Sequence, residues 1–123
     1  MNNFELDLRL QKDCHILGQL GNNQLLLMNN SLVPWFILVP ETGQTELFKL
    51  NDAMQAEVTN EINWLSEYIN MKYQPDKLNV AAIGKIVKQL HIHVVGRFET
   101  DYCWPGVVWG AEGKEAYSAG QIQ

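Results

Sequence analysis

The sequence predicts an α+β fold in which a mostly antiparallel sheet of about five strands carries one long helix on one face. Short apolar runs lie on both sides of a single longer segment with helical periodicity. The links between neighbouring runs are of hairpin length, and only one crossover is helical. Because parallel strands need long crossover connections, the order strand, strand, strand, helix, strand, strand favours antiparallel pairing.

The first three strands are predicted within the first forty residues. Residues 14–20 and 24–29 are short apolar runs, and the Gly-Asn-Asn turn between them indicates a hairpin. Residues 34–39 are apolar throughout and are followed by a proline, which is typical of a strand buried on both faces. Residues 14–40 contain no charged side chain, but their many amide side chains exclude a membrane-spanning helix.

The long helix is predicted from apolar residues that recur at spacings of three and four, which places them on one helical face. Asn51 or Asp52 offers an N-cap after a short turn at 46–50, and the segment 73–76 ends the helix. The apolar residues of this face are Leu47, Leu50, Met54, Val58, Ile62, Leu65 and Ile69.

Two further strands are predicted after the helix, at 78–83 and 89–95. The remainder of the chain has few periodic signals, so we expect loops there, with a short helix near 114–119. No internal repeat or linker divides the 123 residues. We therefore expect a single domain over residues 1–123, with a core at about 10–110 and a C-terminal tail at 111–123.

The two cysteines, Cys14 and Cys103, are expected to be free thiols. The first thirteen residues are mixed in charge and lack the basic and then apolar pattern of a signal peptide. A chain without that signal is expected in the cytoplasm, where thiols stay reduced.

The charge of the chain bears differently on long nucleic acids and on small anionic ligands. The net charge of −5 argues against binding of long nucleic acids, whose affinity comes from basic surfaces. Residues 77–97, however, contain four of the nine basic residues and none of the fourteen acidic ones. A small anionic ligand could be held there, and a solvated basic edge is the alternative interpretation.

The segment 89–95, with the sequence QLHIHVV, is the candidate for a functional site. In a strand, Gln89, His91 and His93 point to one face and the aliphatic residues to the other. A structural pair of histidines, a metal site completed by His15, and nucleophilic or acid–base catalysis on an anion are all compatible with this pattern. The neighbouring basic residues favour the anion over a cation.

This segment, followed by Gly96-Arg97 and Trp104-Pro105, resembles the signature of the histidine-triad (HIT) superfamily, in which three histidines alternate with aliphatic residues. Residues 29–40 are also similar to the family's nucleoside-binding strand pair, and the resemblance spans about residues 10–110. It implies a HIT-like α+β fold, a nucleotide or nucleotide conjugate as substrate, and a homodimer. We expect no cofactor and no metal.

By position, the resemblance makes His91 the nucleophile that attacks the α-phosphate and forms a nucleotidyl-histidine. His93 would orient the phosphate, and both are the predicted catalytic residues. The activity implied is that of a hydrolase or nucleotidyl transferase, of the phosphoramidase or dinucleoside polyphosphate hydrolase type. The predicted substrate-binding residues are Gln89, Asn29, Lys85, Arg97 and Trp104, with Asn29 near the ribose.

Two residues depart from the family pattern. Gln89 replaces the first histidine of the triad, which exchanges a ring for an amide of comparable reach. Ile86 lies near the place where the eukaryotic phosphoramidase branch has polar contacts to phosphate, and it cannot donate a hydrogen bond. A non-catalytic nucleotide-binding or interaction module of the same fold is therefore the rival interpretation.

Overall fold

A computed structural model describes residues 4–122, and its centre is a five-stranded antiparallel sheet with the strand order β1-β2-β3-β5-β4. This confirms the predicted α+β class and the sheet. The strands are β1 (Cys14–Leu20), β2 (Asn23–Met28), β3 (Trp35–Pro40), β4 (Lys77–Ala81) and β5 (Ile92–Arg97).

Strand β5 lies between β3 and β4, and its register positions the candidate site. His93 pairs with Ile37 of β3 and with Ala81 of β4, so its backbone lies in the middle of the sheet. Trp35 of β3 pairs with Val95, which lies two residues after His93 on β5. Because side chains two residues apart share a face, Trp35 and His93 project from the same side of the sheet.

One face of the sheet packs on the long helix, which spans Asp52–Tyr73 and begins at the N-cap Asn51. The Oδ1 atom of Asn51 accepts from the backbone N–H of Met54, and a short 3-10 helix at Leu47–Lys49 precedes the cap. The contact surface holds Leu27, Phe36, Leu38, Leu50, Val58, Leu65, Ile69, Leu90, Ile92 and Val94. The helix face predicted from spacing therefore covers the sheet.

Gly96 allows the chain to pack closely at the edge of this layer. A Cβ at this position would lie 2.8 Å from Cγ of Pro34 and 3.0 Å from Cγ2 of Ile69, closer than carbon atoms normally approach. The close packing explains why the strand carries glycine just before Arg97, since a larger residue would push β5 away from the helix.

The other face is covered by segments from both ends of the described chain. One of them is the short helix α1 (Leu8–Asp13), which begins at the N-cap Asp7. The long helix Asp52–Tyr73 is α2. Residues 98–118, mostly loop, complete the cover. This core contains Leu6, Leu10, Cys14, Leu26, Val33, Trp35, Ile37, Val39, Val87, Val95 and Val108. The candidate histidines lie on this second side.

Several predicted boundaries were wrong. Strand β5 begins at Ile92 instead of residue 89, and β4 covers 77–81 instead of 78–83. The C-terminal helix, α3, spans Ala119–Ile122 rather than 114–119, and α1 was not predicted. Six and four residues are too few for helical periodicity to be visible in a sequence. The Asp7 cap, with Leu6 and Leu10 four residues apart, was the available signal for α1.

Both cysteines are free, as predicted, with Cys14 buried and Cys103 partly buried. Burial, reinforced by the charge of Asp13, raises the pKa of Cys14 to about 12, which leaves the thiol protonated and unreactive at neutral pH. Within residues 4–122, no helix is both long enough and apolar enough to cross a membrane.

Candidate active site

His93 is a buried histidine whose tautomer is determined by its neighbour on β3. The indole Nε1–H of Trp35 donates to Nδ1 of His93 over 3.0 Å. An indole nitrogen can only donate, so Nδ1 must carry the lone pair and the proton of the neutral ring lies on Nε2. His93 therefore offers a hydrogen-bond donor, not a base, through its second nitrogen.

The same ring stays neutral well below pH 7. Burial, followed by repulsion from the adjacent His91, lowers the pKa of His93 to about 3. Only 5% of the residue's surface is exposed, and the indole of Trp109 packs against the ring edge-to-face at 5.3 Å. Protonation would place a charge in an apolar surrounding and would set an N–H against the Trp35 donor.

His91 has the complementary arrangement. It lies just before β5, and its Nδ1 donates to the backbone carbonyl of Gln89 over 2.7 Å. A carbonyl oxygen can only accept, so in the neutral ring Nε2 keeps its lone pair. The His91 and His93 ring centroids are 4.9 Å apart. Adjacent rings thus provide a nitrogen lone pair that can act as a nucleophile and an N–H that can stabilise developing negative charge.

Both rings line a cavity of about 540 Å³, which we call the larger cavity. A volume of this size suits a small organic ligand such as a nucleotide. Its walls come from α1, the β2–β3 connection, the loop before His91 and the loop after β5. Aromatic rings in the lining are those of Trp35, Tyr102 and Trp109, which offer apolar contact surface.

The charged groups of the larger cavity are mainly cationic. Lys85, Lys114 and Arg9 line it, with Asp13 as the carboxylate. Arg9 and Asp13 form an exposed ion pair at 3.6 Å, whereas neither lysine is ion-paired within residues 4–122. The cavity therefore favours an anionic ligand.

His91 also lines a second space of about 220 Å³, which we call the smaller cavity. Ile83, Gly84 and His91 are common to both cavities, so this part of the chain divides them. The other lining residues of the smaller cavity are Thr45, Glu46, Ala82, Lys88, Gln89 and Leu90.

The structure brings three of the predicted site residues, His91, His93 and Lys85, to the larger cavity. Ile86 lines it as well, and its side chain is largely exposed. Several lining residues were not predicted: Arg9, Asn30, Trp35, Tyr102, Trp109 and Lys114. These residues come from segments far apart in the chain, so no motif links them. The only sequence signal for them was residue type, because tryptophans and basic residues are common in sites that bind anions with aromatic groups.

Gln89 does not share the histidine face in the way the strand pattern predicted. Its Nε2 donates to the carbonyl of Glu5, and its Oε1 accepts from the N–H of Asp7, both at 2.8 Å. The reason is that β5 begins three residues later, so the backbone at Gln89 is outside the sheet. Its amide ties the segment before α1 to the loop, and the residue lines only the smaller cavity.

Arg97, predicted to contact an anionic substrate, is hydrogen-bonded to other parts of the protein. The residue is only 2% exposed and lines neither cavity. Its Nε donates to Asp101 over 2.8 Å, and its other nitrogens donate to Asn79 and to the carbonyl of Gly106. Although burial opposes it, hydrogen bonding to Arg97 and to backbone N–H groups lowers the pKa of Asp101.

Trp104 and Asn29 also lie outside the lining of the larger cavity. The guanidinium carbon of Arg97 lies 5.7 Å from the centroid of the Trp104 ring. Trp109 lines the larger cavity, where Trp104 was expected. Oδ1 of Asn29 accepts from Nε2 of His15 at 3.0 Å and from the N–H of Tyr117 at 2.9 Å. The neighbouring Asn30 lines the cavity instead.

The metal alternative is not supported. His15 is engaged with Asn29, and within residues 4–122 no group of three or more His, Cys, Asp or Glu side chains is arranged to hold a metal ion. The His15–His91–His93 ligand set considered from the sequence therefore does not form.

Comparison with known proteins identifies the class. The HIT domain family model matches residues 9–100. Three-quarters of the chain lies in this match, and the chain belongs to the HIT domain family. The search of curated proteins finds no match.

Solved structures agree with this assignment. A histidine triad protein from Sinorhizobium meliloti 1021 is 40% identical, with a TM-score of 0.94, and the match covers 98% of this chain and 90% of that one. One from Marinobacter aquaeolei VT8 is 39% identical, with a TM-score of 0.92 and coverages of 96% and 87%. One from Bradyrhizobium japonicum is 33% identical, with a TM-score of 0.93 and coverages of 97% and 90%.

A more distant structure shares only the fold. A hypothetical histidine triad nucleotide-binding protein from Sulfolobus tokodaii is 13% identical, with a TM-score of 0.65 over 94% of this chain and 80% of that one.

Proposed function

We propose that this protein is a nucleotide hydrolase or nucleotidyl transferase that acts at the α-phosphate of a nucleotide conjugate through a nucleotidyl-histidine on His91. The observation that carries the proposal is the pair of opposite tautomers at the larger cavity. His91 presents a lone pair on Nε2, and His93 presents an N–H. Membership of the HIT domain family points in the same direction.

The reaction proceeds in two displacements. Nε2 of His91 attacks phosphorus, the bond from phosphorus to the leaving group breaks, and the leaving group departs with the electron pair and takes a proton from solvent. Water or another acceptor then attacks phosphorus, the Nε2–phosphorus bond breaks, and the acceptor's proton is released. The Nε2–H of His93 and the cations Lys85 and Lys114 stabilise the negative charge on the phosphoryl oxygens.

The test is His91→Ala, assayed with nucleoside phosphoramidates and dinucleoside polyphosphates. We expect kcat/KM to fall at least about 10³-fold, because the variant lacks the nitrogen on which the proposed intermediate forms. His15→Gln is the matched control, since it changes a histidine outside both cavities and retains a donor for Asn29. Equal activity of wild type and His91→Ala on every substrate would refute the assignment.

The second candidate function is a nucleotide-binding module without turnover. Ile86 favours it, because an exposed aliphatic side chain in the lining cannot help a leaving group to depart. Calorimetric binding of AMP or GMP together with the absence of turnover of any conjugate would establish the module.

We also propose that the protein is a cytoplasmic homodimer. Apolar side chains exposed on the edge strand β1, Ile16 and Leu17, support an interface between copies. Light scattering should give twice the 14.1 kDa mass of the chain, and a particle of single-chain mass at working concentration would contradict the dimer.

A further inference from the structure

The indole nitrogen of Trp109 is a buried hydrogen-bond donor without a partner. Its Nε1–H makes no hydrogen bond to any group of residues 4–122, although the atom is shielded from solvent. A buried N–H without an acceptor costs free energy, so such a donor in a folded protein needs an explanation. Because an indole nitrogen can only donate, the group that satisfies it must bring an acceptor.

The position of Trp109 indicates the kind of acceptor. The residue lines the larger cavity, and its ring lies edge-to-face against that of His93, with the centroids 5.3 Å apart. His93 carries its own proton on Nε2, so neighbouring rings hold two neutral N–H donors. Lys85 and Lys114 line the same cavity. Donors and cations together suit an anionic acceptor, and the anionic part of the proposed substrate is its phosphoryl group.

Trp109 belongs to a segment, residues 107–114, that is hydrogen-bonded to the rest of the fold at its flanks. The carbonyl of Gly106 accepts from the buried guanidinium at the end of β5, and the carbonyl of Glu115 accepts from a backbone N–H of the β2–β3 connection over 2.6 Å. Among the described residues, the one hydrogen bond made by the segment itself joins two of its own residues, at 3.2 Å. Between its flanks the segment is therefore held by apolar packing alone.

Two glycines in this segment have backbone conformations that other residues rarely adopt. Gly110 has a φ of 86° and Gly113 a φ of 114°. A Cβ built on Gly110 would meet nothing within 4 Å, so the glycine is not there for close packing. With fixed flanks, few hydrogen bonds and two glycines beyond Trp109, the segment can shift without unfolding its neighbours.

We propose that Trp109 is a ligand-binding residue, and that a shift of residues 107–114 brings its Nε1–H to a phosphoryl oxygen of the bound nucleotide. The shift is required because the nitrogen is shielded in the arrangement that the structure shows. The proposal rests on the proposed function for the identity of the ligand. The donor has already been removed from water, so its hydrogen bond to the ligand is gained without a further desolvation cost on the protein side.

The indole N–H signals of protein labelled with ¹⁵N-tryptophan test this contact. The chain has four tryptophans, and the signal missing from the spectrum of Trp109→Phe identifies Trp109. If that variant does not fold, sequential assignment of wild type identifies the same signal. Saturating AMP should move the signal downfield, because a charged oxygen makes a short, strong hydrogen bond, whereas adenosine should not. No movement with bound AMP, or an equal movement with adenosine, would overturn the proposal.

Calorimetry measures what the donor contributes to affinity. Trp109→Phe keeps an aromatic ring at this position and removes the N–H, so the Kd of AMP should rise about 10- to 100-fold while that of adenosine stays nearly unchanged. Trp64→Phe is the matched control, since Trp64 is half-exposed on α2 and lines neither cavity, and it should leave both Kd values unchanged. Equal losses for AMP and adenosine in Trp109→Phe would show that the ring acts by packing and not as a donor.

Failure of this inference can be distinguished from failure of the proposed function. If AMP binds and moves the Trp109 signal but no conjugate is turned over, the enzymatic function fails and the donor stands. If conjugates are turned over in a His91-dependent way while the Trp109 signal stays in place, only the donor is wrong. If AMP does not bind, inorganic phosphate takes its place in the titration. A saturable downfield movement with phosphate would support the contact, and its absence would refute it.

Discussion

At the scale of single residues, the site depends on which atom of each imidazole carries a proton. The Gln89 carbonyl can only accept a hydrogen bond from Nδ1 of His91, and the Trp35 indole can only donate one to Nδ1 of His93. The two rings therefore carry their protons on different nitrogens before any ligand binds. Such preorganised donors avoid the free-energy cost of reorienting groups during the reaction. This explains why Trp35, a residue without acid–base chemistry, belongs to the site.

His93 should make the stability of the protein depend on pH. Its pKa is about 3 in the folded state and has the ordinary value near 6.5 in the unfolded chain. Between these values only the unfolded state binds the proton, so the free energy of unfolding falls as the pH drops below about 6.5. Between pH 7 and pH 5 this residue should contribute a loss of about 2 kcal/mol.

Urea denaturation of wild type and His93→Gln at several pH values measures this contribution. Glutamine does not titrate, so the difference in unfolding free energy between the two proteins should shrink as the pH falls from 7 to 5. Parallel curves over this range would show that His93 is not held neutral by the fold.

At the scale of elements, the end of β5 holds the following loop in place. Arg97, the last residue of the strand, binds Asp101 and the carbonyl of Gly106 through its guanidinium. The same loop continues to Val108 and Trp109, which line the larger cavity. The cation expected to bind substrate therefore acts on the site indirectly, because it positions the segment that forms one wall.

Asp101→Asn should be strongly destabilising. It leaves the buried Arg97 charge without its carboxylate, and the free energy of unfolding should fall by about 3–5 kcal/mol. Asp13→Asn is the matched control, since it breaks an i,i+4 Arg–Asp pair of the same type that is exposed, and it should cost at most about 1 kcal/mol. Equal losses for the two variants in denaturant unfolding would contradict the structural role of Arg97.

At the scale of the whole molecule, the charge of the site opposes the charge of the protein. The chain has a net charge of −5, yet the larger cavity contains Arg9, Lys85 and Lys114 against the carboxylate of Asp13. A local excess of cations in a concave site attracts small anions, whereas the overall charge repels a long polyanion. The arrangement therefore suits a small anion better than a nucleic acid.

Much of the fold followed from local patterns. The hairpin, the third strand and the long helix were predicted because each depends on residues close together in the chain, such as the Gly-Asn-Asn turn and the apolar spacing from Leu47 to Ile69. The strand ends were less accurate, as at residues 89–91, because the point where pairing stops depends on the partner strand.

For the site, the sequence alone predicted that His91 and His93 lie close together, because two residues separated by one position remain neighbours in any extended backbone. The tautomers, the hydrogen-bond partners of Arg97 and Gln89, and the residues that form the cavity walls depend on how the elements pack in three dimensions. Those properties arise from contacts such as Trp35 with His93 and Glu5 with Gln89, which join residues 58 and 84 positions apart. Long-range contacts of this kind leave no periodic signal in a single sequence, since they depend on how the elements pack.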